Sequence, residues 1–259
     1  MKDEKRTELA ASELPEIVRK MRARTPARLL AGRAGAAYRT GTQLELREAH
    51  AAARDAVRDE LRCQEMLGSP FLEKWNLFEV STKATAKDEY LLRPELGRHF
   101  DERAFAELQQ RCSTGNDLQI AIGDGLSVSA VTAQIPALLP LLSEGARQRQ
   151  WTIGQVLVIH HCRVGILNEI GELLRPRVAV LLIGERPGLA TAESLSAYMA
   201  YEPRRSHTDA ERNVISNIHA RGLTIEQAAG RILKLAEEMM RARVSGCRLK
   251  ERGAALRIE

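Results

Sequence analysis

Aromatic residues are scarce in this sequence: Phe, Trp and Tyr together make up 4% of its 259 residues. A protein that grips single-stranded nucleic acid needs aromatic platforms for base stacking, and no basic motif interleaved with aromatics is present. The formal charge of +5 does not reverse that reading, because Lys and Arg alternate with Asp and Glu, as in Arg58-Asp59-Glu60. Nucleic acid is therefore not an expected partner. Long apolar runs are missing too. The strongest, Val178 to Ile183, falls far short of the roughly 20 residues of a membrane-spanning helix, and the opening MKDEKRTELAASELPEIVRK has no apolar signal core. The four cysteines, Cys63, Cys112, Cys162 and Cys247, are far apart and form no C-x-x-C pair. That spacing speaks against a zinc knuckle or a disulfide framework and suits a reducing cytosol. A cytoplasmic protein with no membrane contact is expected.

The last absence is catalytic. There is no G-x-S-x-G elbow, no H-E-x-x-H, no P-loop, no G-x-G-x-x-G fingerprint and no acidic cluster with calcium or magnesium spacing. This favours a binding or subunit role over a self-sufficient enzyme.

What is present changes character along the chain. The first hundred residues read as helical. Leu9, Leu14, Ile17, Val18 and Met21 suggest a short amphipathic helix that Pro15 can begin. Thr42 is expected to cap a helix over 43–66, which Gly68-Ser69-Pro70 ends. From about residue 117, short apolar runs (LQIAIG, QVLVIHH, RVAVLLIG and a fourth at 194–201) alternate with helical stretches near 129–149 and 164–174. Pro136 and Pro140 are expected to interrupt the first of these helices. Further helices are expected near 209–221 and 224–243. Such alternation demands crossover connections and a parallel sheet, so the fold class is α/β. Ligands of such sheets bind beyond the carboxyl ends of the strands, which points to Gly123-Asp124-Gly125, His160 to Val164, and Gly184 to Gly188.

Each of these stretches has a functional and a structural reading. Glu185, closing the strongest strand, can accept hydrogen bonds from a polar ligand or pair with Arg186 at the surface. Gly123-Asp124-Gly125 reads foremost as an Asp-Gly turn bonding its own backbone, with Ser127 as a helix cap. His160 and His161 are adjacent on a strand and point to opposite faces, so they are not expected to share a metal ion. Asn217-Ile218-His219-Ala220-Arg221-Gly222 resembles the D-x-H-x-x-G sequence of base-off cobalamin domains. Asparagine stands where that motif has aspartate, so the charge that orients the histidine is missing, and cobalt ligation by His219 is not expected.

Six stretches in fixed order, AGRAGAAYRTGTQLELREAHAAARDAV, YLLRPELGRHF, IAIGDGLSVSAV, CRVGILNEIGELL, IGERPGLATAESLSAYMAYEP and RNVISNIHARGL, together resemble the ethanolamine ammonia-lyase small subunit over most of the chain. The resemblance implies a Rossmann-like C-terminal domain (116–259) that contacts cobalamin, preceded by a smaller helical N-terminal domain (1–115) that binds a partner. It implies a hetero-oligomer with a large TIM-barrel subunit carrying the catalytic side chains. Adenosylcobalamin would lie base-on at the interface, so no metal ligand is expected from this chain. The family's small-subunit contacts fall at Val164, Glu185 and Val214. The alternative is a stand-alone cobalamin carrier, motivated by the segment around His219. The chain departs from the family at Cys162, where glycine is common, at Leu167-Asn168, where a Gly-Asp pair is common, and at Val214, where some members carry cysteine. Cys162 is expected to crowd a ligand near Val164. The family's link to bacterial microcompartments leaves packaging open.

Overall fold

The structure, a computed structural model, describes residues 15–25 and 32–249. The first helix, α1 (Glu16–Ala23), begins just after Pro15; Leu9 and Leu14 lie outside the described residues. A small hairpin, β1 (Arg33–Ala34) and β2 (Ala37–Tyr38), turns at Gly35 and leads into α2 (Thr40–Arg58). Thr42 is inside that helix and does not cap it, and the chain becomes extended at Asp59, well before Met66. Two short helices follow, α3 (Cys63–Met66) and α4 (Ser69–Trp75).

Next comes a strand that helical periodicity hid, β3 (Phe78–Ser81). After it run α5 (Lys87–Leu92), α6 (Glu102–Arg111), β4 (Leu118–Gly123), α7 (Val128–Gln148), β5 (Leu157–His160), α8 (Leu167–Leu174), β6 (Val178–Gly184), β7 (Leu195–Tyr201), β8 (Asn213–Ile218) and α9 (Ile225–Ala242). The six strands form one sheet in the order β3-β5-β4-β6-β7-β8. The first four are parallel; β7 runs antiparallel to β6, and β8 antiparallel to β7.

Alternation along the strands sorts the core into two layers. Ile120, Ile122, Val158, Val180, Leu182, Ala197 and Met199 face α7 and α9. Val80, Ala121, Ile159, Ala179, Leu181 and Ile183 face α6 and α8. Strands covered on both faces read as continuous apolar runs, which is why they were visible in the sequence. α7 runs unbroken through Pro136 and Pro140. Each proline costs a helix hydrogen bond, but Ile135, Leu138, Leu139 and Leu142 are fully buried, at about 1.5–3 kcal/mol each, which outweighs that loss.

The expected helix over 209–221 is instead a 3-10 turn and strand β8. Its apolar residues Ile215 and Ile218 are three apart, as on a helix face. In the sheet they sit opposite Ala197 and Leu195, so three steps on β8 match two on β7. This is a β-bulge, with Asn217 in the left-handed region (φ 67°). The extra residue lets both isoleucines face the same core.

Candidate functional site

α7 and α9 cover one face of β7 and β8, whereas on the other face α8 packs chiefly on β6. A groove of about 490 Å³ opens there at the carboxyl ends of β4, β5 and β6. Val164, Glu185 and Val214 all line it, together with Tyr90, Tyr198 and Ser216. Val214 is 48% exposed, an uncovered apolar side chain on the open sheet face, opposite Tyr198 in register.

Glu185 is held from three sides. Its carboxylate accepts from the Ser196 hydroxyl (2.5 Å), the Ser194 hydroxyl (2.8 Å) and the Asn217 backbone N–H (3.0 Å). That N–H is released from the ladder by the bulge. No ion pair to Arg186 forms among the described residues. A carboxylate has about four acceptor positions, so one remains for a ligand. The Tyr198 and Ser216 hydroxyls have no hydrogen-bond partner among the described residues. Burial, then the Glu185 carboxylate, pushes the Tyr198 phenol above its usual range, so it stays a donor at neutral pH.

The loop that carries Val164 is fixed from beneath. Asp124, fully buried, accepts from the backbone N–H groups of Cys162 (2.8 Å) and His161 (3.0 Å) and pairs with Lys87 (3.3 Å), itself only 5% exposed. Lys87 also donates to the Gly125 carbonyl (3.2 Å). The Tyr90 hydroxyl donates to the Cys162 carbonyl (2.9 Å), and the Arg163 guanidinium lies 4.1 Å from the centre of the Tyr90 ring. Asp124 therefore does not merely bond its own turn, as the Gly-Asp-Gly sequence suggested; it ties the end of β4 to the loop after β5. Nothing local to the sequence announces this, because Lys87 and Cys162 reach it across strands. Gly125 takes a left-handed conformation (φ 57°), and a Cβ there or on Gly184 would strike facing backbone.

The other candidates go elsewhere. The Cys162 side chain is fully buried against Gly123 and does not line the groove, so the expected crowding does not arise. Leu167 is in the core. His160 bonds Glu79 (3.0 Å) while buried His161 bonds Glu60 (3.0 Å) and the Ala84 carbonyl (2.9 Å), so the two rings have separate partners. Cys63, Glu79 and His160 bring three donor atoms within 4.8 Å of one another, a cation-capable set. Burial, reinforced by Glu79, pushes the Cys63 thiol up to about 12, so with no cation present it stays protonated. His219 is buried in the tight turn 217–222: one ring nitrogen meets the Asn217 side-chain oxygen (3.2 Å) and the other the Arg221 backbone N–H (3.3 Å).

A mostly parallel sheet flanked by helices, with a groove at its strand ends, defines an α/β protein. The particular family follows from comparison: residues 15–250 match the model of the ethanolamine ammonia-lyase light chain (EutC). The ethanolamine ammonia-lyase small subunit of Clostridium perfringens is 41% identical over 235 residues, covering 91% of this chain and 78% of the relative. Those of Clostridioides difficile (41% over 230 residues; 89% and 76%) and Listeria monocytogenes (40% over 231; 89% and 77%) are similar to it as well. The chain belongs to the ethanolamine ammonia-lyase small-subunit family. A small subunit implies a large-subunit partner. Among the described residues, no helix is long and apolar enough to cross a membrane.

Proposed function

We propose that this chain is the small subunit of a cytoplasmic, two-subunit, adenosylcobalamin-dependent ethanolamine ammonia-lyase, covering one edge of the base-on cofactor at the interface with a catalytic large subunit. The observation that carries the reading is the meeting of Val164, Glu185 and Val214 in one groove. A corrinoid is far larger than 490 Å³, so this groove suits one edge of it and requires a second surface to enclose the rest. The residues fit such an edge. Val164 and Val214 offer apolar contact, and the free acceptor of Glu185 and the hydroxyls of Tyr198 and Ser216 match amide side arms. Gly125 and Gly184 let the backbone approach. Bound there, the cofactor supplies homolytic radical chemistry; the side chains of this chain bind and orient and supply no proton or nucleophile. Both ring nitrogens of His219 are already engaged, which argues against the carrier alternative.

The test is reconstitution. The chain alone is expected to produce no acetaldehyde from ethanolamine, and mixing with a cognate large subunit is expected to restore cofactor-dependent production. The absorption spectrum of the complex should be base-on and unchanged in His219→Ala. Turnover by the chain alone, or a base-off spectrum lost in His219→Ala, would overturn the reading.

A further inference from the structure

Beside the groove, sharing Arg163 and Val164 with it, lies a second pocket of about 470 Å³. Its charge is lopsided. Arg98, Arg163, Arg205 and Arg212 line it, and among the described residues the first three form no ion pair with a carboxylate. The acids beside them are already used. Glu169 accepts from the Phe100 N–H (2.6 Å) and His99 (2.8 Å). Asp209 meets Arg212 from a side chain that is 91% exposed, while the Arg212 side chain is 6% exposed. Burial pulls the Arg212 guanidinium below its usual range. Among the described residues, three buried nitrogens around the pocket have no hydrogen-bond partner: Arg163 Nε, Arg212 Nε and His207 Nδ1. Buried polar atoms without a partner are costly, and all three belong to side chains that line this cavity. Besides Asp209, Arg212 meets only the Asn168 side-chain oxygen among the described residues, which accepts from it (2.9 Å) but carries no charge.

We infer that this pocket is an oxyanion site for a phosphate-class group, with Arg163, Arg205, Arg212 and His207 as its donors. Planar guanidiniums suit phosphate oxygens. The assignment stands apart from the cofactor reading, since inorganic phosphate alone tests it. Phosphate titrated calorimetrically into the full chain at low ionic strength is expected to bind saturably at one site. Arg205→Gln, at an exposed residue, should weaken binding about tenfold. Asn168→Asp, which places a carboxylate on Arg212, should do so at least as strongly, with the apo chain still folding cooperatively. No saturable binding to the wild type, or undiminished affinity in Arg205→Gln, overturns the site. A second arm, which does rest on the proposed function, identifies the source of the anion in the two-subunit complex. If the anion is the phosphodiester of the cobalamin nucleotide tail, Arg205→Gln weakens cobalamin but not cobinamide, which lacks that tail. If it is free phosphate, both corrinoids bind the variant as before, and phosphate still binds the loaded complex.

Discussion

Replacing Asp124 by Asn tests the account of how the groove is built. The carboxylate is fully buried and holds three partners: the N–H groups of Cys162 and His161, and the Lys87 ammonium. Asparagine keeps the shape but offers one acceptor oxygen. Its amide nitrogen must then face either a backbone N–H or Lys87, both donors, and Lys87 is left as a buried cation without a counter-charge. Removing one member of a buried pair costs about 3–5 kcal/mol. For a domain of this size that lowers the thermal midpoint by roughly 10 °C. Lys87→Met should cost less, because Asp124 keeps both backbone donors. The double variant should be more stable than the sum of the singles predicts, by at least about 1 kcal/mol of coupling. The assay is urea unfolding of wild type, both singles and the double. Hydrogen exchange at the Cys162 amide, which should accelerate in Asp124→Asn, reports on the loop itself. An Asp124→Asn cost below about 1 kcal/mol, or strict additivity, would refute the idea that this pair holds the Val164 loop.

Gly184→Ala should destabilise by at least about 2 kcal/mol in urea unfolding, since its Cβ would strike the Ser127 carbonyl, whereas exposed Gly230→Ala in α9 has open space and should gain about 0.5–1 kcal/mol. Thermal midpoints should fall as pH rises from 8 to 11. Burial raises Tyr90, Tyr198 and Cys63 in the folded chain, so the stability they lend is complete below the unfolded thiol and phenol values and drains as pH climbs through them towards the folded ones. A midpoint flat over that range would contradict this. Ellman's reagent should find one fast thiol, exposed Cys247, and three slow ones, Cys63, Cys112 and Cys162. Cys247→Ser should abolish the fast phase.

Burial on both faces made β4, β5 and β6 legible, because a strand with no wet side has no polar alternation to blur it. The two strands that escaped notice are the sheet's edges. β3 is only four residues long and alternates buried with exposed positions, too brief a pattern to stand out from the helices around it. β8 looked helical because a bulge gave its isoleucines a three-residue spacing. At the candidate site, resemblance points to Val164, Glu185 and Val214, whereas position at a strand end points only to the first two. Asp124 and Lys87 were not legible, since a buried ion pair spanning 37 residues leaves no periodic trace. The strand-end loop turns the Cys162 thiol into the core, a direction the sequence does not reveal. A glycine-to-cysteine departure reads as crowding until the direction of the side chain is known.

The bulge at Asn217 has a consequence for how the molecule keeps its own company. β8 closes one side of the sheet, and a flat edge there would offer a row of bare amides and carbonyls to any passing strand. Here the chain kinks into the left-handed region, and the amide it frees is turned inward to Glu185. The Asn213 side chain likewise reaches the Gly246 and Leu249 carbonyls of the closing turn (3.2 and 2.8 Å). A seventh strand thus finds no regular template, so a partner subunit is expected to meet this edge through side chains over the groove, and the sheet resists extending itself into chains of identical copies.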